Sequence, residues 1–187
     1  IIGAVSSAFL PVFYEYLTRD KDEAWRFAAN VLNILIVALF IFSVILILLT
    51  PQLVSLVAPG FDSASKKLTT DISRLLFLSP LLLGISALAT ALLQAFSRFL
   101  ITSLAPIFYN LGIIFGIVFL VPSYGIWGLA YGVVLGALSH FLIQVPSLIN
   151  IGFRFRGLLN FKEWGLIKVI KLWLPRTLSL LSLQINS

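Results

Sequence analysis

Cysteine is absent from this chain, so disulfide bonds and thiolate nucleophiles are excluded. Charge is scarce as well. Asp, Glu, Lys and Arg make up 11% of the sequence, against about 25% in a soluble domain, which needs them to keep its surface wet. Histidine occurs once, at His140, and no carboxylate lies between Asp71 and Glu163 to join it. The sequence therefore predicts neither a metal site nor a cofactor.

The chain carries instead a long run without any charge. Residues 99–153 contain no Asp, Glu, Lys or Arg over 55 positions. As one helix that rises about 1.5 Å per residue, this run would be far longer than the ~30 Å hydrocarbon core of a bilayer. Pro122 and Gly125 interrupt the run near its middle, as expected for a tight turn. The sequence thus predicts two membrane spans joined by an uncharged hairpin.

Other apolar windows long enough to cross a bilayer extend this prediction to an all-α, polytopic bundle of transmembrane helices. The chain has no methionine, begins within one apolar run and ends within another, so we expect it to be an internal part of a longer protein. The predicted spans are the tail of one helix at 1–16, then 27–49 closed by Thr50-Pro51, then 75–97, 100–121 and 126–150, and a last helix beginning near Glu163.

The basic residues divide unequally between the predicted loops. Loops 18–26, 98–99 and 151–162 hold seven of them, whereas the opposite side holds three. Because positive charge is retained on the cytoplasmic side, these three loops are predicted to be cytoplasmic. The net charge of +6 then reflects membrane topology, and nucleic-acid binding is not predicted. The seven are Arg19, Lys21, Arg26, Arg98, Arg154, Arg156 and Lys162, and the three are Lys66, Lys67 and Arg74.

Glycines recur at every fourth position in two neighbouring spans. Such spacing lets helix backbones approach closely, where van der Waals contact replaces the missing hydrophobic drive. We interpret the pattern as packing within one chain rather than as a homodimer face. The glycines are Gly112, Gly116, Gly128, Gly132 and Gly136.

Polar side chains at membrane depth are expensive, so each is a candidate for function. Arg176 follows Pro175 inside an apolar segment. Its guanidinium either faces a wet cavity, where it would suit a diphosphate, or extends to the cytoplasmic interface as Lys168 would. Pro175 and Pro106 are candidate hinges, because proline removes a backbone donor.

Glu15, near the end of the first helix, precedes Arg19 by four residues and is predicted to pair with it. Asn110 and Gln184 are buried-looking amides for which an interhelical hydrogen bond is the simpler interpretation. The sequence contains no paired intramembrane carboxylates, no Ser/His/Asp set and no nucleotide-binding loop. The chain is therefore not predicted to be an enzyme.

Several motifs in a fixed order resemble those of the bacterial lipid II flippases of the MurJ/MviN type. Residues 3–13 (GAVSSAFLPVF) with Glu15-Tyr16 are similar to the second span of that family, and 23–27 (EAWRF) to the loop that follows. The segment 58–62 (APGFD) resembles its outer loop after the third span. Arg98-Phe99 with 104–106 and Asn110, 144–146 (QVP), and Leu174-Pro175 with 184–186 resemble later spans.

The resemblance implies a fold of the multidrug/oligosaccharidyl-lipid/polysaccharide exporter type, with about 14 spans in two lobes. This chain would run from the end of the second span to the start of the seventh. Residues 1–160 would then form most of the N-terminal lobe, and 161–187 the start of the first helix of the C-terminal lobe.

The same resemblance implies a transporter of the bacterial cytoplasmic membrane. It would move undecaprenyl-diphosphate-linked peptidoglycan precursor from the inner to the outer leaflet by alternating access. Its partners would be that precursor, membrane lipids and other cell-wall synthesis proteins. Our hypothesis is that Arg176 binds the diphosphate while Asn110, Gln184 and Ser6 line the cavity. Arg176 departs from the family pattern, where many members have a small residue.

Three alternatives remain at this point. The first is a flippase for another lipid-linked polysaccharide precursor (O-antigen, teichoic or capsular), which would share this fold and cavity chemistry. The second is a membrane scaffold that transports nothing. The third, a membrane-bound polyprenyl glycosyltransferase, would need acidic residues or histidine near the interface. A cation-coupled drug exporter would need intramembrane carboxylates, and the apolar runs here contain none.

Overall fold

A computed structural model of the chain describes the backbone of residues 2–185 and the side chains of residues 7–174. Over that backbone the chain is helical, with no strand, which confirms the predicted all-α class. The elements are α1 (Ile2–Leu17), α2 (Lys21–Val57), α3 (Ser63–Leu76), α4 (Leu78–Ala95), α5 (Phe99–Phe115), a π-helical segment (Gly116–Leu120), α6 (Val121–Tyr124), α7 (Ile126–Leu142), α8 (Val145–Asn150) and α9 (Trp164–Ile185).

Four helical stretches are long and apolar enough to cross a membrane: Lys21–Val57, Ser63–Ala95, Phe99–Tyr124 and Ile126–Asn150. They correspond to the four complete spans predicted from the sequence. Many large apolar side chains on them are exposed, among them Phe40 and Leu56 of α2, as expected for helices that face lipid. The chain is therefore a membrane protein.

The prediction that Thr50-Pro51 ends the second span is wrong, because α2 continues to Val57. Pro51 has no N–H, so the carbonyl of Ile47 loses its helical donor. The Arg74 side chain of α3 replaces that donor, since its Nε donates to Ile47 O over 3.2 Å. Thr50 adds a local bond from Oγ1 to Leu46 O at 2.7 Å. With the carbonyl paired, the helix passes the proline without breaking.

We expect Arg74→Leu to lower the free energy of unfolding by about 1–3 kcal/mol, the cost of leaving a shielded carbonyl unpaired. In a Pro51→Ala background the helix recovers its own amide donor, so the same substitution is expected to cost much less. Thermal unfolding of the full-length protein in detergent would measure this cycle, with Lys67→Leu as the control for an exposed cation on the same helix. An equal loss in both backgrounds would contradict the role given to Arg74.

The third span also begins earlier than predicted, at Ser63 rather than near residue 75. Asp62 caps α3, and its carboxylate accepts from the backbone amides of Ala64 and Ser65 at 3.2 and 3.4 Å. The polar residues of α3 hid this helix from a search for apolar windows. α3 and α4 meet at Phe77, and together they form one membrane-crossing stretch.

An aromatic core joins α1, α2, α4 and the segment after α8. The Trp25 ring lies 5.6 Å from that of Phe13, 5.2 Å from Phe96 and 5.9 Å from Phe153. Phe9, Phe13 and Phe27 are fully buried. This core brings the ends of α1, α4 and α8 together, so the loops predicted to be cytoplasmic lie at one end of the bundle.

The five glycines marked by their spacing lie along one contact, between α5 with its π-helical extension and α7. A Cβ on Gly116 would stand 2.5 Å from Gly132 Cα, and one on Gly112 would meet the backbone of Gly136. Gly128 faces the backbone of Leu120 in the same way. The neighbours are backbone atoms of the same chain, and this is the geometry expected of intramolecular packing.

Candidate functional site

The contact between α1 and α9 contains an ion pair. Lys168 Nζ lies 2.5 and 2.8 Å from the two carboxylate oxygens of Glu15. The prediction that Glu15 pairs with Arg19 is wrong, because α1 ends at Leu17 and the required helical register is lost. The Arg19 guanidinium lies instead over the ring of Trp164, 5.9 Å from its centroid.

This ion pair sets the register of the two helices. It joins the end of α1 to the start of α9, and the helices pack alongside each other, so they are antiparallel. Nine residues back from Glu15 lies Ser6, and eight residues on from Lys168 lies Arg176. At about 1.5 Å per residue, Arg176 lies about 12 Å and Ser6 about 13.5 Å from the ion pair along the helix axes. Their backbones therefore lie at nearly the same level along the two helices.

The side chains of Ser6, Pro175, Arg176 and Gln184 lie outside the described side chains, so only their backbone positions enter here. The backbone of α9 is one helix from Trp164 to Ile185, and Pro175 lies within it. At the same helical rise, Gln184 lies a further ~12 Å beyond Arg176. Arg176 and Ser6 are thus placed at matching levels of packed helices.

Asn110 is placed elsewhere. α5 packs against α7 and α4, whereas α9 packs against α1 and α2. The Asn110 side chain is exposed, and its Nδ2 donates to Pro106 O at 2.9 Å within the same helix. α5 is continuous across Pro106, and within the stretch Phe99–Tyr124 the backbone departs from α-helical geometry at Gly116–Leu120.

A polar cavity of about 290 Å³ opens at the same end of the bundle as the ion pair. Asn30 is the most buried residue in its lining, with 2% of its surface exposed. Its Oδ1 accepts from the Asn160 amide at 2.7 Å, and its Nδ2 donates to Asn160 O at 2.9 Å and to Glu163 Oε2. One helical turn later, Asn33 Nδ2 donates to the carbonyls of Arg156 and Leu158 at 2.6 and 2.8 Å. Two amides of α2 thus fasten the irregular segment 153–160.

Asn30 and Asn33 were not predicted from the sequence as functional candidates. Their spacing of three within an apolar helix could have marked one polar face, but their partners lie 123 to 133 residues away. On the exposed side of the same segment, Arg156 Nη2 pairs with Asp22 Oδ1 at 2.5 Å.

We expect Asn30→Leu to raise the hydrogen-exchange rate of the Asn160 amide about tenfold, since that amide loses its buried acceptor. Asn33→Leu removes a donor to two carbonyls and leaves the Asn160 amide bonded to Asn30, so its exchange is expected to change little. Hydrogen-exchange mass spectrometry of the full-length protein would compare both with Asn150→Leu, which alters an exposed amide on α8. Equal exchange at Asn160 in all three variants would contradict the assignment.

A second polar cluster is buried between α4 and α7. Ser86 Oγ lies 2.7 Å from His140 Nδ1, and Gln144 Nε2 donates to Ser86 Oγ at 2.6 Å and to His140 O at 2.9 Å. Thr90 Oγ1 donates to Gln144 Oε1 at 2.9 Å. Ser86 and Gln144 are fully buried. Such bonds stabilise contacts between transmembrane helices, and His140, the only histidine in the sequence, takes part in them.

Comparison with known proteins gives a consistent result. The family model described as lipid II flippase MurJ matches residues 2–187. A probable lipid II flippase MurJ of Buchnera aphidicola subsp. Schizaphis graminum is 30% identical over 189 residues, which cover 98% of this chain and 37% of the relative.

Two further relatives agree. A probable lipid II flippase MurJ of Vibrio cholerae is 30% identical over 205 residues, with 98% and 37% covered. The lipid II flippase MurJ of Burkholderia cenocepacia is 28% identical over 151 residues, with 78% and 29% covered. The matches thus span 29 to 37% of the length of these relatives.

Proposed function

Because this chain belongs to the lipid II flippase MurJ family, we propose that it is part of a transporter that moves undecaprenyl-diphosphate-linked peptidoglycan precursor across the bacterial cytoplasmic membrane. Movement would run from the inner to the outer leaflet by alternating access. The observation that carries the proposal is the family match over residues 2–187, which includes all four membrane-crossing stretches.

The proposed domain division places residues 1–160 in most of an N-terminal lobe and 161–187 at the start of the next. Two features support it. The segment between α8 and α9 is irregular, as expected of a connection between lobes, and α9 contacts the rest of the chain mainly through α1. In this proposal the loops 18–26, 98–99 and 151–162 are cytoplasmic, and their shared position at one end of the bundle supports a common side.

The proposed route for the head group runs along the α1/α9 contact. An arginine near the middle of the hydrocarbon core is tolerated when it faces water or a counter-charge. A diphosphate supplies that charge, and a planar guanidinium grips it with two parallel bonds. Ser6 at the same level and Gln184 farther along α9 would line this route. Pro175 and Pro106 remain the proposed hinges.

Asn110 is retained as a cavity candidate, although its place on α5 separates it from the other three. One N–H of its Nδ2 is donated to Pro106 O, so the second N–H and the carbonyl oxygen are the groups it would offer to a sugar. The proposal thus assigns hydrogen bonding to Asn110 and the charge to Arg176.

The test uses the full-length protein in cells depleted of their own lipid II flippase. Growth and the exposure of lipid II at the outer leaflet would be followed together, and we expect both to be restored. Normal amounts of protein in the membrane without either effect would contradict the proposal. That outcome would favour a flippase for another lipid-linked polysaccharide precursor, or a scaffold that moves nothing.

A further inference from the structure

A second cavity lies on a different part of the bundle and is almost wholly apolar. It has a volume of about 440 Å³ and lies between α2, α4, α7, α8 and the residues just after α8. Ala89 and Leu92 of α4 and Leu148 of α8 form its buried floor, and Phe141 of α7 forms one wall. A cavity of this size and lining accepts hydrocarbon and offers nothing to a sugar or a nucleotide.

The mouth of this cavity is open to the surroundings. Ile149 and Phe155 stand at it with 63% and 67% of their surface exposed. Phe155 belongs to the segment that carries the basic residues of the 151–162 loop, so the mouth lies at the level where the helices end. The cavity therefore runs from the interface into the bundle, next to the acyl chains of one leaflet.

Arg154 also lines the mouth, and it is the one charged residue in the lining. Among the side chains of residues 7–174, no carboxylate lies within ion-pair distance of it. Arg156, two residues farther on, is paired with Asp22 instead. The cavity thus joins an apolar interior to an unpaired cation at its entrance.

We propose that this cavity binds one acyl chain of an anionic glycerophospholipid from the adjoining leaflet, with Arg154 contacting the headgroup phosphate. Basic pockets between transmembrane helices on the cytoplasmic side attract anionic headgroups in this way. The Arg154 guanidinium would pair with the phosphate of a lipid headgroup, and the apolar lining would contact an acyl chain of the same lipid. The site is independent of what the protein transports.

The experiment measures retained lipid on the full-length protein by native mass spectrometry. Phosphatidylglycerol or phosphatidylcholine would be titrated onto the delipidated protein. Arg154→Gln is expected to weaken phosphatidylglycerol binding about fivefold at the tightest site and to change phosphatidylcholine little. Lys162→Gln, which removes an exposed cation of the same loop outside the cavity, is the matched control and is expected to leave both unchanged.

A second measurement tests the acyl chain and does not depend on a substitution inside the core. A photoreactive phenylalanine analogue at position 149 is expected to cross-link phosphatidylglycerol, and Arg154→Gln is expected to lower that yield. Cross-linking to another segment of the protein, or to lipid-linked precursor alone, would overturn the proposal. So would an equal loss of phosphatidylglycerol binding in Arg154→Gln and Lys162→Gln.

Discussion

Arg176→Glu is expected to abolish the appearance of lipid II at the outer leaflet, while the amount of protein in the membrane stays near that of the unaltered chain. In the proposed route, the guanidinium near the middle of the core is the charge that receives the diphosphate. Removing one member of a shielded charge pair costs 2 kcal/mol or more, which is about thirtyfold in rate or affinity, and a carboxylate adds repulsion. Arg176→Lys is expected to retain part of the activity, because lysine keeps the positive charge but cannot make the two parallel hydrogen bonds of a guanidinium.

The matched control is Lys171→Glu. Lys171 is an exposed residue five positions earlier on the same helix, and its reversal makes the same change in net charge. Normal flipping by both Arg176→Ala and Arg176→Glu would remove Arg176 from the route and leave the interfacial alternative. Equal loss in Arg176→Glu and Lys171→Glu would point instead to a disturbed topology, since both substitutions remove positive charge from the same helix.

Gly132→Val is expected to prevent stable packing of α7 on α5. A Cβ at this position would stand 2.7 Å from Gly116 Cα and 3.1 Å from Gly112 O, and both neighbours are backbone atoms that cannot turn aside. Overpacking of this kind costs about 1–3 kcal/mol even when the backbone shifts, and valine adds two methyl groups to the first carbon. We expect a large loss of monodisperse protein in detergent extracts and a lower melting temperature.

Gly60→Val is the control, because a Cβ on Gly60 would meet nothing within 4 Å. If both variants of the full-length protein melted alike, the close approach of α5 and α7 would be disproved. A change in oligomeric state without loss of stability would support the homodimer interpretation that the sequence pattern left as the alternative.

Structure was most predictable from the sequence where a property repeats along a helix. Four of the predicted spans are present, because apolar length by itself determines which segments enter a bilayer. Residues four apart lie on one face of a helix. The glycines of α5 and its extension therefore form one face, and this face contacts the glycines of α7. The motifs, taken in their order, resembled those of the lipid II flippase family, and the model of that family matches residues 2–187.

The span ends were harder to predict. Proline normally ends a helix, but α2 continues past Pro51. The first turns of α3 are polar, so a search for apolar windows does not find them although they are helical. Arg74 pairs a carbonyl 27 positions earlier, so a helix that proline should end continues instead. A window of neighbouring residues contains no trace of that donor.

By itself, the sequence determined the all-helical class, the membrane-crossing stretches, the glycine packing face and the family. The first three depend on composition or periodicity over a few turns of helix, whereas the family depends on motifs that occur in a fixed order. Only the tertiary structure decided the partners of the polar groups: Lys168 rather than Arg19 for Glu15, Asn160 for Asn30, and His140 for Ser86. Helices distant in sequence must pack before such side chains come within bonding distance, and in a bilayer without water a polar group is stabilised by whichever partner that packing brings nearest.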